Sequence, residues 1–194
     1  MERVEMDRDL VVRQLDARSA LESGRRREML AVYREHMIHE MGGHLDELMA
    51  TMVAEPQFHG WGPTGDQSPK GRDAVLAFYG EWFDLKANWF DVELHRIVVD
   101  DDVIAVEMTQ RMVMPCASYF AGRWGRGRVG ADGTIPEGFD IGGHCFMVSR
   151  SAGFVPFDEH CLMMGEDGYG TGKSDVRQLA DDELPAGYLE FLAS

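Results

Sequence analysis

The segment DVELHRIVVDDDVIAVEMTQRMVM (91–114) marks the point at which the sequence changes from helical to extended character. Apolar and polar residues alternate with a period of two on both sides of the acidic turn Asp100–Asp102. This alternation predicts two half-buried strands that are joined as a hairpin. Since helical patterns precede this segment and extended patterns follow it, we expect an α+β chain whose helices come first.

Three helical patterns precede the hairpin. The first begins at Arg25, carries apolar residues four positions apart, and stops at Gly42 and Gly43, where the chain can leave the helix without steric cost. The second covers 45–53 and ends before Pro56, and the third follows Gly71. A short strand is predicted in PQFHGWGP (56–63). The apolar positions of the first and third helices are Met29, Tyr33, Met37 and Met41, then Val75, Phe78, Tyr79 and Trp82.

Two further strands are predicted in GGHCFMVSRSAGFVPFDEHCLMM (142–164). A register that pairs Ser149 with Phe154 places apolar residues opposite one another and sets His144 opposite Glu159. A shift by one residue would bury an acid beside a phenylalanine, so it is disfavoured. We therefore expect a domain over 25–164, preceded by an arm or short helix (1–24) and followed by a tail with a possible short helix (165–194).

Composition excludes several classes of partner. The chain has 194 residues, with 19 basic and 34 acidic residues and a formal net charge of −15. Such an acidic surface repels phosphate backbones and anionic membranes, so we expect neither nucleic acid nor membrane binding. The sequence has no apolar run of transmembrane length, its charged first residues lack the apolar core of a signal peptide, and its three cysteines do not form metal-binding spacings. We expect a cytoplasmic protein with free thiols.

The order of elements resembles the nuclear transport factor 2-like superfamily, in particular its SnoaL-like branch. The residues that carry the resemblance are HLDELMATMVAEPQFHGWGP (44–63), GRDAVLAFYGEW (71–82), RIVVDDDVIAVEM (96–108) and GFVPFDEHCLMM (153–164). The resemblance implies a conical barrel in which three N-terminal helices pack on a curved mixed or antiparallel sheet around a central pocket. It also implies a homodimer and a family that includes polyketide cyclases, ketosteroid isomerases, dehydratases and epoxide hydrolases.

The family's catalytic positions are only partly matched. Limonene-epoxide hydrolases use an arginine and two aspartates where this sequence has Met108, Gln110 and Cys161, so that reaction is not expected. The dehydratase pair is matched by Glu40, but Trp89 or Phe90 stands in place of its histidine. SnoaL-type cyclases place a histidine on the penultimate strand, matched by His144, and an acid on the last strand, matched by Asp158 or Glu159.

These observations predict His144, Glu159 and Glu40 as catalytic residues. A carboxylate that holds one imidazole nitrogen leaves the other free to abstract a proton, and burial makes a glutamic acid a candidate general acid. An ordinary cross-strand hydrogen bond, or a half-exposed helix end at Glu40, would explain the same residues without catalysis. The predicted pocket residues are Tyr33, His59, Trp61, Tyr79, Trp82, Met108, Gln110 and Cys161.

The predicted function is cofactor-free acid–base chemistry on a small apolar cyclic metabolite, as an isomerase, cyclase or dehydratase. The alternative is a ligand-binding or dimerisation module of the same fold without catalysis. No metal is expected, because His144 and His160 fall on opposite faces in the favoured register and His36 and His39 lack the spacing of zinc proteases.

Overall fold

The computed structural model describes residues 2–61, 65–66, 68–123, 125, 128–170 and 174–194, and it has the expected α+β organisation. The described residues form six α-helices: α1 (Leu10–Ser19), α2 (Gly24–Gly42), α3 (Leu45–Ala50), α4 (Arg72–Asp84), α5 (Cys116–Ala121) and α6 (Tyr188–Ala193). They also form six strands: β1 (His59–Trp61), β2 (Phe90–Val99), β3 (Val103–Pro115), β4 (His144–Pro156), β5 (Asp167–Gly170) and β6 (Asp175–Leu179).

The strands build one curved, unclosed sheet in the order β1-β5-β4-β3-β2. All described pairings are antiparallel except the parallel pair β1·β5. The predicted β2·β3 hairpin is formed, with Val99 opposite Ile104 across the acidic turn and a bulge at His95. The other edge of β4 pairs with two strands: β6 lies along the first half of β4, and β5 lies along its second half.

The two faces of the sheet support separate cores. On β3, Ile104, Val106, Met112 and Met114 belong to the main core, which is shared with helices α1 to α5. We call this the inner face. Val113 points to the other side, where a smaller core includes Trp89, Leu179, Leu184 and Tyr188. We call this second side the outer face. Residues paired across a ladder share a face, and successive residues of a strand alternate between faces, so the register assigns each paired residue to one side.

The predicted hairpin within 142–164 is wrong, because β4 runs without a break from His144 to Pro156. Strand β3 is equally long, and every residue of it is paired with β4 from Val103↔Pro156 to Pro115↔His144. A turn at Arg150–Gly153 would leave half of that edge of β3 without backbone partners, which is costly in a protein interior. The continuous strand β4 provides backbone partners along the whole of that edge of β3.

Both ends of the chain are more ordered than the sequence indicated. The N-terminal segment contains α1, whose Val11 and Leu15 are fully buried. The amide of Gln14 donates to the carbonyl of Leu94 and accepts from its N–H, each over 2.8 Å, next to the β2 bulge. The C-terminal tail supplies β5 and β6 as well as the expected short helix, α6.

Two of the three cysteines do not remain thiols. Cys116 and Cys145 form a disulfide, with their Cα atoms 5.1 Å apart, and only Cys161 is a free thiol. Among the described residues, no helix combines the length and the apolar composition that crossing a bilayer requires. Parts of the predicted strand 56–63 and of the glycine-rich loop 121–138 lie outside the described residues.

Candidate active site

His144 and Glu159 are not brought together. His144 begins β4 on the outer face, where its Nδ1 lies 3.2 Å from the hydroxyl of Tyr188, and burial lowers the pKa of His144. Glu159 follows the far end of the same strand in a turn, with its side chain 88% exposed. Because β4 extends by about 3.3 Å per residue, the strand ends are roughly 40 Å apart. The predicted pair therefore fails with the hairpin on which it depended.

A different polar cluster lies on the inner side of the sheet. Helix α2 turns one face inward, and that face carries Tyr33, His36 and Glu40, which are all buried. Tyr79 reaches the cluster from α4, and Glu166 reaches it from the residue just before β5. We call these five residues the inner cluster. It contains two carboxyl groups, one imidazole and two phenols in a setting that is otherwise apolar.

The hydrogen bonds of His36 determine which of its nitrogens carries a proton. Nδ1 lies 2.8 Å from the hydroxyl of Thr51, and that hydroxyl donates its one proton to the carbonyl of Leu48 over 2.6 Å. Thr51 must therefore accept from His36, so Nδ1 bears hydrogen. Nε2 lies 3.2 Å from the hydroxyl of Tyr79 and 3.2 Å from a carboxylate oxygen of Glu166. Nε2 is thus the ring nitrogen that faces the phenol of Tyr79 and the carboxylate of Glu166.

Glu166 links this buried ring to solvent. Its side chain is 36% exposed, whereas that of His36 is fully buried. An unprotonated Nε2 facing a carboxylate is unfavourable, since both atoms present lone pairs. A hydrogen on either group would turn this contact into a hydrogen bond, so the contact is a path along which a proton can pass between the buried ring and Glu166.

Glu40 is the second carboxyl of the inner cluster. Its side chain is 8% exposed, and burial, reinforced by the charge of Glu166, raises the pKa of Glu40 well above its ordinary value. The carboxyl has no hydrogen-bond partner among the residues that the structure describes. A buried, unpartnered carboxyl that retains its proton is suited to donate that proton to a bound molecule.

The two phenols remain neutral donors. Burial, together with the charges of Glu166 and Glu40, raises the pKa of Tyr33 and of Tyr79 above the ordinary value for tyrosine. Trp82 lies behind them in the aromatic cluster of α4, with its ring centroid 6.3 Å from that of Tyr79. Tyr33, Glu40, Tyr79 and Trp82 are thus interior residues, while the catalytic role of Glu40 and the ligand contacts of the other three stay predictions.

The middle of the inner face is less covered than its ends. Met108 and Gln110 of β3 pair with Ser151 and Ser149 of β4, and all four are half-buried on this face. The inner-face residues on either side of them, Val106 and Met112 on β3 and Gly153 and Met147 on β4, are buried. Polar side chains and partial exposure at this level indicate access from solvent to the concave side of the sheet.

Three predicted pocket residues lie elsewhere. His59 and Trp61 share a face of β1, as expected, and their rings stack at 5.7 Å, but the register through β5 places them on the outer face. Cys161 lies beside the start of α2, with Sγ 3.3 Å from Nη1 of Arg25, and burial raises the pKa of its thiol. These side chains do not contact the inner cluster.

No group of three or more potential metal ligands occurs among the described residues. His36 points to Thr51 and Tyr79, whereas His39 lies with its Nδ1 3.4 Å from Nδ1 of His44. The two histidines of HMIHE (36–40) therefore do not converge.

The sequence carried a signal for His36 but none for Glu166. His36 lies three residues after Tyr33 and four before Glu40, which puts all three on one face of a helix. Glu166 lies in a turn-rich segment, EDGYG (166–170), without a periodic pattern. Only the pairing of β5 between β1 and β4 brings it to the interior.

The chain is similar to known proteins of one domain family in sequence and in fold. Residues 12–135 match the sequence model of the SnoaL-like domain, whereas no curated protein matches the chain. RV0760c from Mycobacterium tuberculosis has a TM-score of 0.54 and 13% identity, over 80% of this chain and 99% of its own. An LEH-like epoxide hydrolase from M. tuberculosis has a TM-score of 0.51 and 12% identity, over 77% of this chain and 82% of its own. A computationally designed 17-OHP binder has a TM-score of 0.50 and 14% identity, over 77% of this chain and 95% of its own. At these identities the structural likeness concerns the fold.

Proposed function

Because the chain belongs to the SnoaL-like domain family, we propose that it is an enzyme that moves a proton on a small apolar cyclic molecule without a cofactor. The observation that carries this proposal is Glu40, a buried carboxyl without a hydrogen-bond partner among the described residues, beside the 3.2 Å contact of His36 Nε2 with Glu166. An isomerisation, a cyclisation or a dehydration each needs one group that removes a proton and one that returns it.

The inner cluster offers these two roles. In the proposed reaction, His36 removes a proton from a carbon next to a carbonyl through Nε2, while Glu166 stabilises the imidazolium that forms. Glu40 donates its proton to the oxygen on which negative charge develops, and Tyr79 orients the ring of His36. Thr51 is a positioning residue, because it fixes the tautomer through Nδ1 without reaching the substrate.

The expected substrate follows from the surroundings of the cluster. Methionines and aromatic rings surround it, so the body of the ligand is apolar, and the polar groups are few and convergent, as in typical small-molecule sites. The partial exposure of Met108, Gln110, Ser149 and Ser151 supports a pocket on the concave side of the sheet. The fold neighbours include proteins named as a binder and as a hydrolase. The fold is therefore compatible with both binding and catalysis.

Hydrogen exchange on a probe ketone tests the proposal. Cyclic ketones and enones of steroid, terpenoid and polyketide type are first screened by thermal shift. Those that bind are incubated with the protein in D2O, and deuterium uptake next to the carbonyl is followed by NMR. We expect His36→Gln and Glu40→Gln to lower the exchange rate by about 10²–10⁴-fold, the usual contribution of an acid–base group.

His144→Gln is the matched control, because His144 is a half-buried histidine on the outer face that bonds Tyr188. It should exchange the probe as fast as the wild type. If the ketones bind but no protein-dependent exchange occurs, the chain is a ligand-binding module. If His144→Gln abolishes exchange while His36→Gln does not, the wrong histidine has been assigned.

We further propose that the protein forms a homodimer through its outer sheet face. Val98, Phe154, Tyr169 and Trp61 lie on that face and are 60%, 42%, 46% and 46% exposed. The ring of Tyr169 contacts those of both Phe154 and Trp61, so these side chains form a continuous apolar patch. Patches of this kind on a soluble protein commonly mark an interface.

Light scattering coupled to size-exclusion chromatography checks this assembly. The wild type should have twice the chain mass of 21.8 kDa, and Phe154→Glu should reduce it to the mass of one chain. Leu21→Glu is the control, since Leu21 is 78% exposed on the N-terminal segment. A wild-type monomer at micromolar concentration would refute the dimer and leave the catalytic proposal untouched.

A further inference from the structure

A cavity lies on the outer side of the sheet, away from the inner cluster. The N-terminal segment crosses this side, held by the N–H of Val4, which donates to the carbonyl of Glu183 over 2.9 Å. Between this segment, Trp89, Arg111 and the Pro185–Ala186 pair is a cavity of about 570 Å³. That volume is within the range of about 300–1,000 Å³ typical of small-molecule sites.

Two carboxylates already have partners: that of Asp7, which lines the cavity, and that of Asp91, which pairs with the lining residue Arg111. Asp91 is fully buried, and its two carboxylate oxygens accept from Nε of Arg111 and from the backbone N–H of Asp7, each over 2.8 Å. The carboxylate of Asp7 accepts from both terminal nitrogens of Arg13, and the nearby charge of Arg111 also lowers the pKa of Asp7. Of the carboxylates that line the cavity, Glu5 is the one without such a partner among the described residues, and it is exposed.

The donors of the cavity, in contrast, are in excess. Arg111 is anchored through Nε, and its two terminal nitrogens have no hydrogen-bond partner among the residues that the structure describes. The same holds for the exposed guanidinium of Arg3. The indole nitrogen of Trp89 is also unpartnered within the described chain, but it is inaccessible to solvent, so it is not one of the donors open to the cavity.

The remaining lining is apolar. Val4, Met6 and Leu10 are half-buried, and Pro185 is buried at the opposite wall. The cavity therefore combines an apolar surface with unpartnered hydrogen-bond donors from two arginines, Arg3 and Arg111. Guanidinium groups bind carboxylates through two parallel hydrogen bonds. The buried Asp91 holds Arg111 in place through Nε, which leaves both terminal nitrogens available for such a pair.

We propose that this outer cavity is a binding site for a small organic carboxylate with an apolar body. The carboxylate binds the terminal nitrogens of Arg111, and the apolar body lies against Met6, Trp89 and Pro185. This site is separate from the proposed active site, because the two lie on opposite faces of the sheet and share no residue.

Calorimetric titration of the full chain with 2-naphthoate and with the neutral 2-naphthol tests the site. We expect 2-naphthoate to bind at least ten times more tightly than 2-naphthol, and the indole N–H resonance of Trp89, assigned with Trp89→Phe, to shift on titration. Arg111→Gln should weaken 2-naphthoate binding at least tenfold. Ala186→Trp should also abolish it, because the exposed Ala186 lines the cavity and a large ring there fills it without altering any charge.

Two further variants keep the result interpretable. Arg111→Gln leaves Asp91 without its cation, so Asp91→Asn/Arg111→Gln removes both charges together and should lose binding in the same way. Arg96→Gln is the matched control on the same face, since Arg96 pairs with Glu107 outside the cavity, and it should bind as the wild type does. Equal affinity for the two naphthalenes, or unchanged affinity in Ala186→Trp, would overturn the proposal. Binding that Glu40→Gln abolishes would move the ligand to the inner cluster and also overturn it.

Discussion

At the scale of single residues, the orientation of His36 follows from one hydroxyl group. The hydroxyl of Thr51 can donate only once, and it donates to Leu48, so the imidazole must carry its hydrogen on Nδ1. We expect the neutral ring to be the Nδ1–H tautomer, which long-range ¹H–¹⁵N correlation spectra report directly. Thr51→Ser should keep this tautomer, and Thr51→Val should lose it. An Nε2–H tautomer in the wild type would contradict the assigned hydrogen bonds.

Glu40 makes the stability of the protein depend on pH. Its pKa is raised in the folded state, so folding favours the protonated form. The folded protein then binds more protons than the unfolded chain between the ordinary glutamate pKa and the raised one, and stability falls as pH rises through that window. Glu40→Gln removes this loss. Urea titrations should show the variant gaining stability relative to the wild type as the pH rises from about 4 to 8. A difference that does not grow with pH would contradict a protonated Glu40.

The sequence identifies part of this site because part of it lies on one helix. Tyr33 and Glu40 follow from the helical stripe of α2, and Tyr79 follows from that of α4. Glu166 could not be predicted, since no local pattern marks it and its position depends on how distant strands pair. Site residues can therefore be predicted from the sequence where the period of one helix aligns them. They cannot be predicted where only the pairing of distant strands brings them together.

At the scale of elements, helices were easier to predict than strand register. The stripes of α2 and α4 are set within one segment, so they appear in the sequence. The length of β4 is set by β3, which presents 13 residues of edge to be paired. Ser149 and Ser151 resemble turn residues locally, yet they lie in mid-strand because their face of the sheet is partly open to solvent.

The disulfide joins two elements across this sheet. Cys116 begins α5 and Cys145 is the second residue of β4, with a sequence separation of 29. Closing such a loop stabilises the fold by about 3–4 kcal/mol in the chain-entropy description. In urea without reductant, thiol titration should detect Cys161 alone, and reduction should release all three thiols and lower stability by this amount. Cys161→Ser should show no thiol until it is reduced.

The same titration bears on the compartment in which the protein resides. Disulfides persist in oxidising surroundings and are uncommon in a reducing cytoplasm. The expectation of a cytoplasmic protein implied three free thiols, and the pairing of Cys116 with Cys145 does not agree with that part of it. Three accessible thiols in protein denatured without reductant would instead mean that the pair stays reduced where the protein is made.

At the scale of the whole molecule, the net charge of −15 acts against the compact state. Its exposed ion pairs, such as Arg96 and Arg150 on Glu107, contribute little, because such contacts are worth about 0–1 kcal/mol each. Salt screens both the overall repulsion and the attraction within ion pairs, and the Debye length is about 10 Å at 0.1 M, so exposed charges further apart than this are largely screened. Since repulsion involves every acidic residue, whereas each attraction is confined to one ion pair, relief of repulsion should dominate.

We therefore expect added salt to stabilise the protein at neutral pH. Raising NaCl from about 10 to 300 mM at pH 7.5 should increase the Tm by a few degrees, as measured by calorimetry. Near the sequence pI of about 4.8, the net charge vanishes and the same salt should give no increase. The comparison separates charge screening from general salt effects on apolar burial, which would appear at both pH values. A Tm that falls with salt at pH 7.5 would mean that the local ion pairs outweigh the overall repulsion.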